Sequence, residues 1–541
     1  MQVYKSNFRE SLKVLTESME SCAYVAFDWE LTGVQGLGAK EFPWDTPSQR
    51  YEKLRPNVSY SAIQLGICTA HPVLDASGEL TIRFRPFNFT VWPHASMLLM
   101  SNSALHFLRD HHFDLNKAID DGVSFLNAKQ ETEKTQRLKQ LRTDLEAGQT
   151  GGMVPSARDR PLVVDVFKLV DEWLLQLGLD PAAERSSSAY APDPKPSAPA
   201  AGAPAAGAEP PTLLLPKLNS YMRRLVFQET EKCYHRVHFE VLEQDGALRR
   251  IKATLMESAA ALDAHRKKLI QEKLAKYEDE LSDEIGLRHV FRLLSTTRRP
   301  LVGHNSMMDC LQLIDKLEAT LPADLPSCRA LIHSKLPAYF DTRFLATTHP
   351  AFRPYFDKAA LESSSASLEP LSLRLQYAPF TEVPAPAPAV RPAGPAKSPA
   401  PAGSPTATPA PEAAAPAPAA APKRPLHLQL DPSGPFGRYA AALAANITAG
   451  SLAATAPAGS PPGTAEAAQA QLEEASMAHE AGYDALLTAL VFGRMAAHLA
   501  QLGPAPAPEG TMQIEGTAEE DLPEDARPAW KGRSPRLFFN R

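Results

Sequence analysis

Residues 23–34 read AYVAFDWELTGV. Tyr24 to Phe27 form a short apolar run of strand-forming residues, the pattern of a buried β-strand. Asp28 and Glu30 follow at its end, two residues apart. Side chains at i and i+2 of a strand share a face, so both carboxylates emerge together from a hydrophobic strand. Side by side they repel, and burial is costly unless a cation holds them. Hard oxygen ligands in this placement suit Mg2+ or Mn2+. A strand running out into solvent carries acids just as readily, so the pair alone does not decide the chemistry.

Two further stretches carry acids in defined contexts. Residues 299–310 read RPLVGHNSMMDC. Leu301 and Val302 end a short strand, Gly303, His304 and Asn305 make a turn, and Ser306 is a candidate helix N-cap. Asp309 then falls in the first helical turn, an ordinary place for an acid and one that faces the C-terminal edge of a sheet. Residues 477–499 read MAHEAGYDALLTALVFGRMAAHL. Leu486, Leu487, Leu490, Val491 and Met495 recur at helical spacing and are expected to pack inward. Asp484 precedes this stripe and His479 lies five residues earlier. Five helical residues turn a side chain by about 140°, so the two cannot share a face of one straight helix. His479 is therefore expected on the loop entering the helix, where a solvated or capping histidine is equally ordinary.

Around these stretches the chain alternates strands and helices, which predicts an α/β or α+β sheet domain, α/β being the class expected. It has 541 residues, of which 44% are hydrophobic and 50 are Pro. That Pro share is about twice the usual one, and it concentrates in Ala/Pro tracts at about 183–212 and about 382–468. These tracts have too little apolar surface to offset the entropy of ordering, and they are expected to be disordered spacers. The expected plan is a first domain part at 1–158, an inserted smaller domain at 159–246, a second part at 247–502 and a tail at 503–541. The net charge of −6 excludes a globally basic nucleic-acid coat but not a local basic groove. Five scattered cysteines without a C-x-x-C pair suit neither a disulfide scaffold nor a zinc site, and point to a reducing compartment. No run approaches 18 apolar residues, so no membrane span is expected.

Taken in order, D-x-E, a helical Asp, then H-x(4)-D resembles the DEDDh superfamily of 3′→5′ exonucleases. The flanking sequence narrows the resemblance to the poly(A)-specific ribonuclease family. Matching stretches are QRYEKLR (49–55), IQLGICT (63–69), FRPFNFTVWP (84–93), GVSFLN (122–127), YMRRLVFQ (221–228), DELSDEIG (279–286), LVGHNSMMD (301–309), LPADL (321–325), DTRFLATTHP (341–350) and HEAGYDALLTAL (479–490). The resemblance covers roughly residues 1–130, 160–180, 213–380 and 470–500. It implies an RNase H-like mixed β-sheet flanked by helices, with a small inserted α/β domain for single-stranded nucleic acid.

The same resemblance implies roles. Asp28, Glu30, Asp309 and Asp484 would hold two Mg2+ ions, with Mn2+ as a substitute, and His479 would be the general base. Leu31, Val34, Asn305 and Arg343 would contact the substrate. Leu31 stands where an aromatic is common in the family, and Arg343 replaces the usual Lys, which changes donor geometry. In the insert, Arg223, Arg224, His235 and His238 (with Tyr221) are candidate RNA contacts, a basic solvated face being the plain alternative. GRSPRLFFNR at 532–541 resembles only the opening of the family's RNA-recognition-motif domain, and no complete one is expected. The implied protein shortens poly(A) tails of single-stranded RNA with a free 3′-OH, releases 5′-AMP, forms a homodimer and works in the nucleus or cytoplasm. A trimmer of small RNAs, a non-catalytic RNA-binding module and a proline-rich scaffold are the competing readings.

Overall fold

The computed structural model describes residues 1–40, 42, 44–74, 79–93, 97–146, 159–186, 210–242, 249–352, 355, 368, 371–372, 375–376, 380, 382–384, 423–444, 477 and 479–502. Its strands are β1 (Gln2–Val3), β2 (Tyr24–Leu31), β3 (Ala62–Leu74), β4 (Leu80–Thr90), β5 (Thr212–Leu214), β6 (Val237–Val241), β7 (Ile251–Leu255), β8 (Leu301–Gly303), β9 (Tyr339–Asp341), β10 (Glu382–Pro384) and β11 (Lys423–Leu430). The chain divides into two compact units, one of residues 1–130 and 283–541, the other of Glu131–Ser282.

The larger unit is built on a mixed sheet in the order β10-β11-β4-β3-β2-β8-β9, with β1 also paired to β4. Strands β2, β3 and β4 form an antiparallel meander, and β8 and β9 continue parallel to β2. This is the expected RNase H-like arrangement. The period of two along β2 decides the layers. Val25, Phe27, Trp29 and Leu31 enter a core with Leu15, Met19, Phe291 and Ile314, from helices Phe8–Ser21, Arg288–Thr297 and Met307–Leu317. Tyr24 and Ala26 enter the opposite core with Tyr483, Leu486, Leu487 and Leu490 of the helix Ala481–Gln501. Asp28 and Glu30 continue the second set and so face that helix.

The helix Ala481–Gln501 is buried on nearly all sides, as an apolar helix lying across a sheet must be. Its first turn presses on β3 at Gly66, the residue opposite Asp28 in the ladder. A Cβ there would lie 1.8 Å from the Ala481 carbonyl oxygen, so only glycine admits this approach. Gly482 is similarly confined, its missing Cβ falling 2.4 Å from the Tyr439 hydroxyl and 2.7 Å from Asn88 Cβ.

The smaller unit has a three-stranded antiparallel sheet, β5-β7-β6. Helices Arg160–Gln176 and Ser220–Cys233 bring Val163, Phe167, Val170 and Leu225 into its core beside Tyr234 and Phe239. The unit is wider than the expected 159–246. β7 pairs with both other strands, and helices reaching back to Glu131 and on to Ser282 are joined by the Arg142–Glu278 ion pair. Residues on both sides of the first Ala/Pro tract share one core, so the tract does not divide the unit. Within its opening residues, the buried Arg185 forks onto Asp171 at 3.0 Å, and Tyr234 donates to the same carboxylate at 2.8 Å.

The second expected spacer needs correction. Within 382–468, β11 joins the sheet parallel to β4, and Leu426, Phe436 and Tyr439 are buried. The alternation in LHLQL supplies the strand period that the surrounding Ala/Pro composition hides. Residues 187–209, 385–422, 445–468 and 503–541, the remainder of the expected spacers and tail, lie outside the described residues. Among the described residues, no helix is long and apolar enough to cross a membrane.

Gly66→Ala is expected to destabilise the protein by about 2–3 kcal/mol or more, because the added carbon meets backbone that cannot rotate away. Denaturant unfolding followed by circular dichroism checks this; an unchanged midpoint would contradict the tight helix–sheet contact.

Candidate active site

Asp28 and Glu30 leave β2 where its register with β3 shifts between Glu30 and Leu31. The strand ends there and releases its last carboxylate towards the helix side. Asp309 arrives from the parallel neighbour. β8 ends at Gly303, and the following turn places Asn305 in the left-handed region, with φ +53°. Asp341, at the end of β9, holds that turn. Its carboxylate accepts the Asn305 and Ser306 amides at 3.2 and 2.9 Å and the Ser306 hydroxyl at 3.2 Å. It also accepts the Phe344 amide at 3.0 Å, capping the short helix Thr342–Thr348 that carries Arg343. One acid thus ties the GHN turn to the Arg343 segment.

His479 and Asp484 come from the far side of the sheet. His479 sits on the loop before the helix, as its spacing from Asp484 predicts, and is left-handed with φ +67°. Its amide donates to Asp484 at 3.0 Å. The helix has no side-chain cap of its own. Instead the Ala481 amide donates to Gln64 of β3 at 3.3 Å and the Gly482 amide to Asn88 of β4 at 3.2 Å. The sheet caps the helix, which registers Asp484 against β2.

These segments meet in one cavity of about 1020 Å³ within the larger unit. Its lining includes Asp28, Glu30, Leu31, Val34, Asn305, Asp309, Arg343, His479 and Asp484, all nine residues singled out in this part of the sequence. Donor atoms of Glu30, His479 and Asp484 lie within 4.8 Å of one another. Burial pushes the Asp28 carboxyl well above the usual carboxylate range, and Asp309, Asp484 and Glu30 add to the rise. Glu30 is raised by burial and by Asp484 and Asp309. Asp309 is pushed up to about 7 by burial, with Asp341 contributing. Among the described residues, no Lys or Arg forms an ion pair with Asp28, Glu30 or Asp309. Clustered carboxylates raised in this way lack positive charge, and a hard divalent cation is the partner their chemistry fits. Burial and the neighbouring His111 lower the His479 pKa, which favours the neutral imidazole.

Sequence reasoning missed several of the surroundings. Phe107 lines the cavity, and its ring lies 4.3 Å from His111 and 4.7 Å from His479 between centroids. Phe107 and His111 are four apart at the end of helix Asn102–Asp110, a shared-face spacing that was legible. Arg50 reaches the cavity from helix Pro47–Leu54. The candidate RNA contacts Arg223, Arg224, His235 and His238 lie in the smaller unit. Arg224 and His235 are exposed, and Arg223 donates to the Leu218 carbonyl at 2.7 Å. His238 is buried on β6, its ring 4.6 Å from that of His265 between centroids.

The sequence matches the CAF1 family ribonuclease over residues 3–492. It is 25% identical over 394 residues to the poly(A)-specific ribonuclease PARN of Xenopus laevis, covering 70% of this chain and 56% of that protein. The PARN of Arabidopsis thaliana is 24% identical over 381 residues, covering 67% and 54%. A structure of S. pombe Pop2p with Mg2+ and Mn2+ bound superposes with a TM-score of 0.19 at 18% identity, over 22% of this chain and 46% of that one. The chain spans about half the length of the curated relatives it matches. With the ribonuclease match running over residues 3–492, the chain belongs to the CAF1 ribonuclease family.

Proposed function

We propose that this chain is a divalent-metal-dependent 3′→5′ exoribonuclease that shortens poly(A) on single-stranded RNA and releases 5′-AMP. The observation that carries the reading is the convergence of Asp28, Glu30, Asp309, Asp484 and His479 on one cavity from three separate stretches of chain. Family membership and the likeness to enzymes named poly(A)-specific ribonucleases support it.

The four acids are the groups that would hold Mg2+ or Mn2+. Bound divalent cations supply positive charge that offsets the charge building on the reacting phosphate. His479, on a loop beside Glu30 and Asp484, accepts the proton of the attacking water. Its depressed pKa keeps the imidazole neutral and able to do so near neutral pH. Asn305 and Arg343 supply donors to the 3′-terminal nucleotide, and Arg343 offers a planar fork where a lysine would offer a point charge. Leu31 and Val34 give the terminal base an apolar wall, with Val34 exposed and Leu31 buried. The exposed Arg224 and His235 of the smaller unit bind the RNA backbone, which makes affinity fall with salt.

The decisive assay offers the purified protein and Mg2+ four labelled RNAs: an A-tail, a U-tail, a mixed tail, and an A-tail blocked at its 3′ end. Loss of the unblocked A-tail alone is expected. Equal trimming of every unblocked RNA would instead identify a general 3′ trimmer. Asp28→Ala is expected to lower cleavage by at least about a thousandfold while leaving the circular dichroism spectrum intact. Undiminished cleavage by that variant would refute the site.

A second expectation concerns the protein kept metal-free with EDTA. The fold favours protonated Asp309, whose pKa is raised to about 7. That contribution is complete below the unfolded-state value of about 3.9 and is lost as pH rises through about 7. The melting temperature in EDTA should therefore fall between pH 5 and pH 8. Asp309→Asn should flatten the fall, and an unchanged slope would contradict the crowded, half-buried placement of this acid.

A further inference from the structure

Glu480 follows His479, and none of the roles above uses it. Its side chain is only 14% exposed and is held on both oxygens. Oε1 accepts from Tyr439 Oη at 2.7 Å, Asn88 Nδ2 at 2.9 Å and Gln2 Nε2 at 3.1 Å. Oε2 accepts from the Arg438 guanidinium at 2.8 Å. Charge-assisted bonds of this kind are the stronger class, and here four donors converge on one carboxylate. The donors come from β1, from β4 and from residues 438–439, three stretches far apart in sequence.

The 431–439 stretch is itself fastened to the sheet. Asp431, 2% exposed at its side chain, pairs with Arg85 of β4. Asp431 also accepts the Ser433 amide and hydroxyl at 2.9 and 2.6 Å. Phe436 packs edge-on against Phe87 with centroids 5.4 Å apart, and Tyr439 is fully buried beside Tyr483. A segment surrounded by Ala/Pro composition is therefore a rigid strut that ends on Glu480.

The consequence falls on His479. Its backbone occupies the left-handed region, which is uncommon for a non-glycine residue, with φ +67°. Pinning Glu480 fixes the chain one bond away, leaving the imidazole little freedom beyond its own side-chain torsions. The ring then lies against Phe107 and His111 with a nitrogen near Glu30 and Asp484. We infer that Glu480 is a positioning residue for His479, and that Arg438 and Tyr439 supply part of the frame of the active site. The inference rests on the proposed role of His479 for its kinetic consequence, but not for its geometry.

The test uses the full chain carrying Glu480→Ala, Glu480→Gln or Tyr439→Phe. Glu480→Ala is expected to lower kcat on A-tailed RNA by about ten- to a hundredfold with KM changed less than about twofold, since a misplaced proton acceptor slows the step without loosening the RNA. Glu480→Gln keeps an acceptor for Asn88 and Tyr439 and should recover most of the loss. Tyr439→Phe removes one bond, keeps the packing and should fall between wild type and Glu480→Ala. A kcat per folded molecule unchanged in Glu480→Ala, or a change confined to KM, would overturn the inference. So would Glu480→Gln as slow as Glu480→Ala. A second readout needs no activity: histidine-selective NMR of the imidazole C–H, with the His479 resonance assigned by its loss in His479→Ala. A shifted or broadened His479 signal in Glu480→Ala, restored in Glu480→Gln, supports the clamp, and an unmoved signal overturns it. Wild-type protein that cleaves no RNA would defeat the nuclease reading, while the NMR result would still decide the clamp.

Discussion

The first turn of helix Ala481–Gln501 lies on β3 with no space for one more carbon at Gly66. This contact brings Asp484 and His479 over the end of β2, where Asp28 and Glu30 emerge. The donors that an isolated helix would leave bare are taken by Gln64 and Asn88 of the sheet. Capping and placement are thus one interaction, because the groups that satisfy the helix end also set its position over the acids. A conventional capping side chain at Glu480 would leave that position open. Here the Glu480 carboxylate is turned instead to Asn88, Tyr439 and Arg438.

The approach has an electrostatic cost. Asp28, Glu30 and Asp309 are crowded, half-buried, along one cavity, and the pKa of each is raised mainly by burial. A fold selected for stability alone has no reason to gather them. The strain is physically sensible when divalent cations share the site, since positive charge turns mutual repulsion into ligation. The acidic net charge of the chain is then no argument against the RNA substrate proposed, because part of it belongs to groups that cations would neutralise.

Much of this was legible in the sequence because it is local. The strand period of YVAFDWEL puts Asp28 and Glu30 on one face, and the five-residue spacing of His479 and Asp484 separates loop from helix. The structure obeys both. What could not be read is long-range partnership. Asn88 and Glu480 are 392 residues apart, and no periodicity links them. The strand LHLQL was obscured because composition was averaged over its Ala/Pro neighbours. His238 was singled out by residue type, while the cover that His265 gives it, and the burial that lowers its pKa, are long-range features. Phe107 was overlooked because helix Asn102–Asp110 is mostly exposed, and one aromatic on such a helix reads as ordinary surface.

The central claim is that the acids at Asp28, Glu30, Asp309 and Asp484 form one divalent-metal site. Titrating the chain with Mn2+ and following the free ion by electron paramagnetic resonance measures this without reference to RNA. Saturable binding of two ions per chain is expected, displaced by Mg2+ and weakened at least about tenfold in a folded Asp28→Asn variant. No saturable binding, or the same isotherm in Asp28→Asn, would contradict the account.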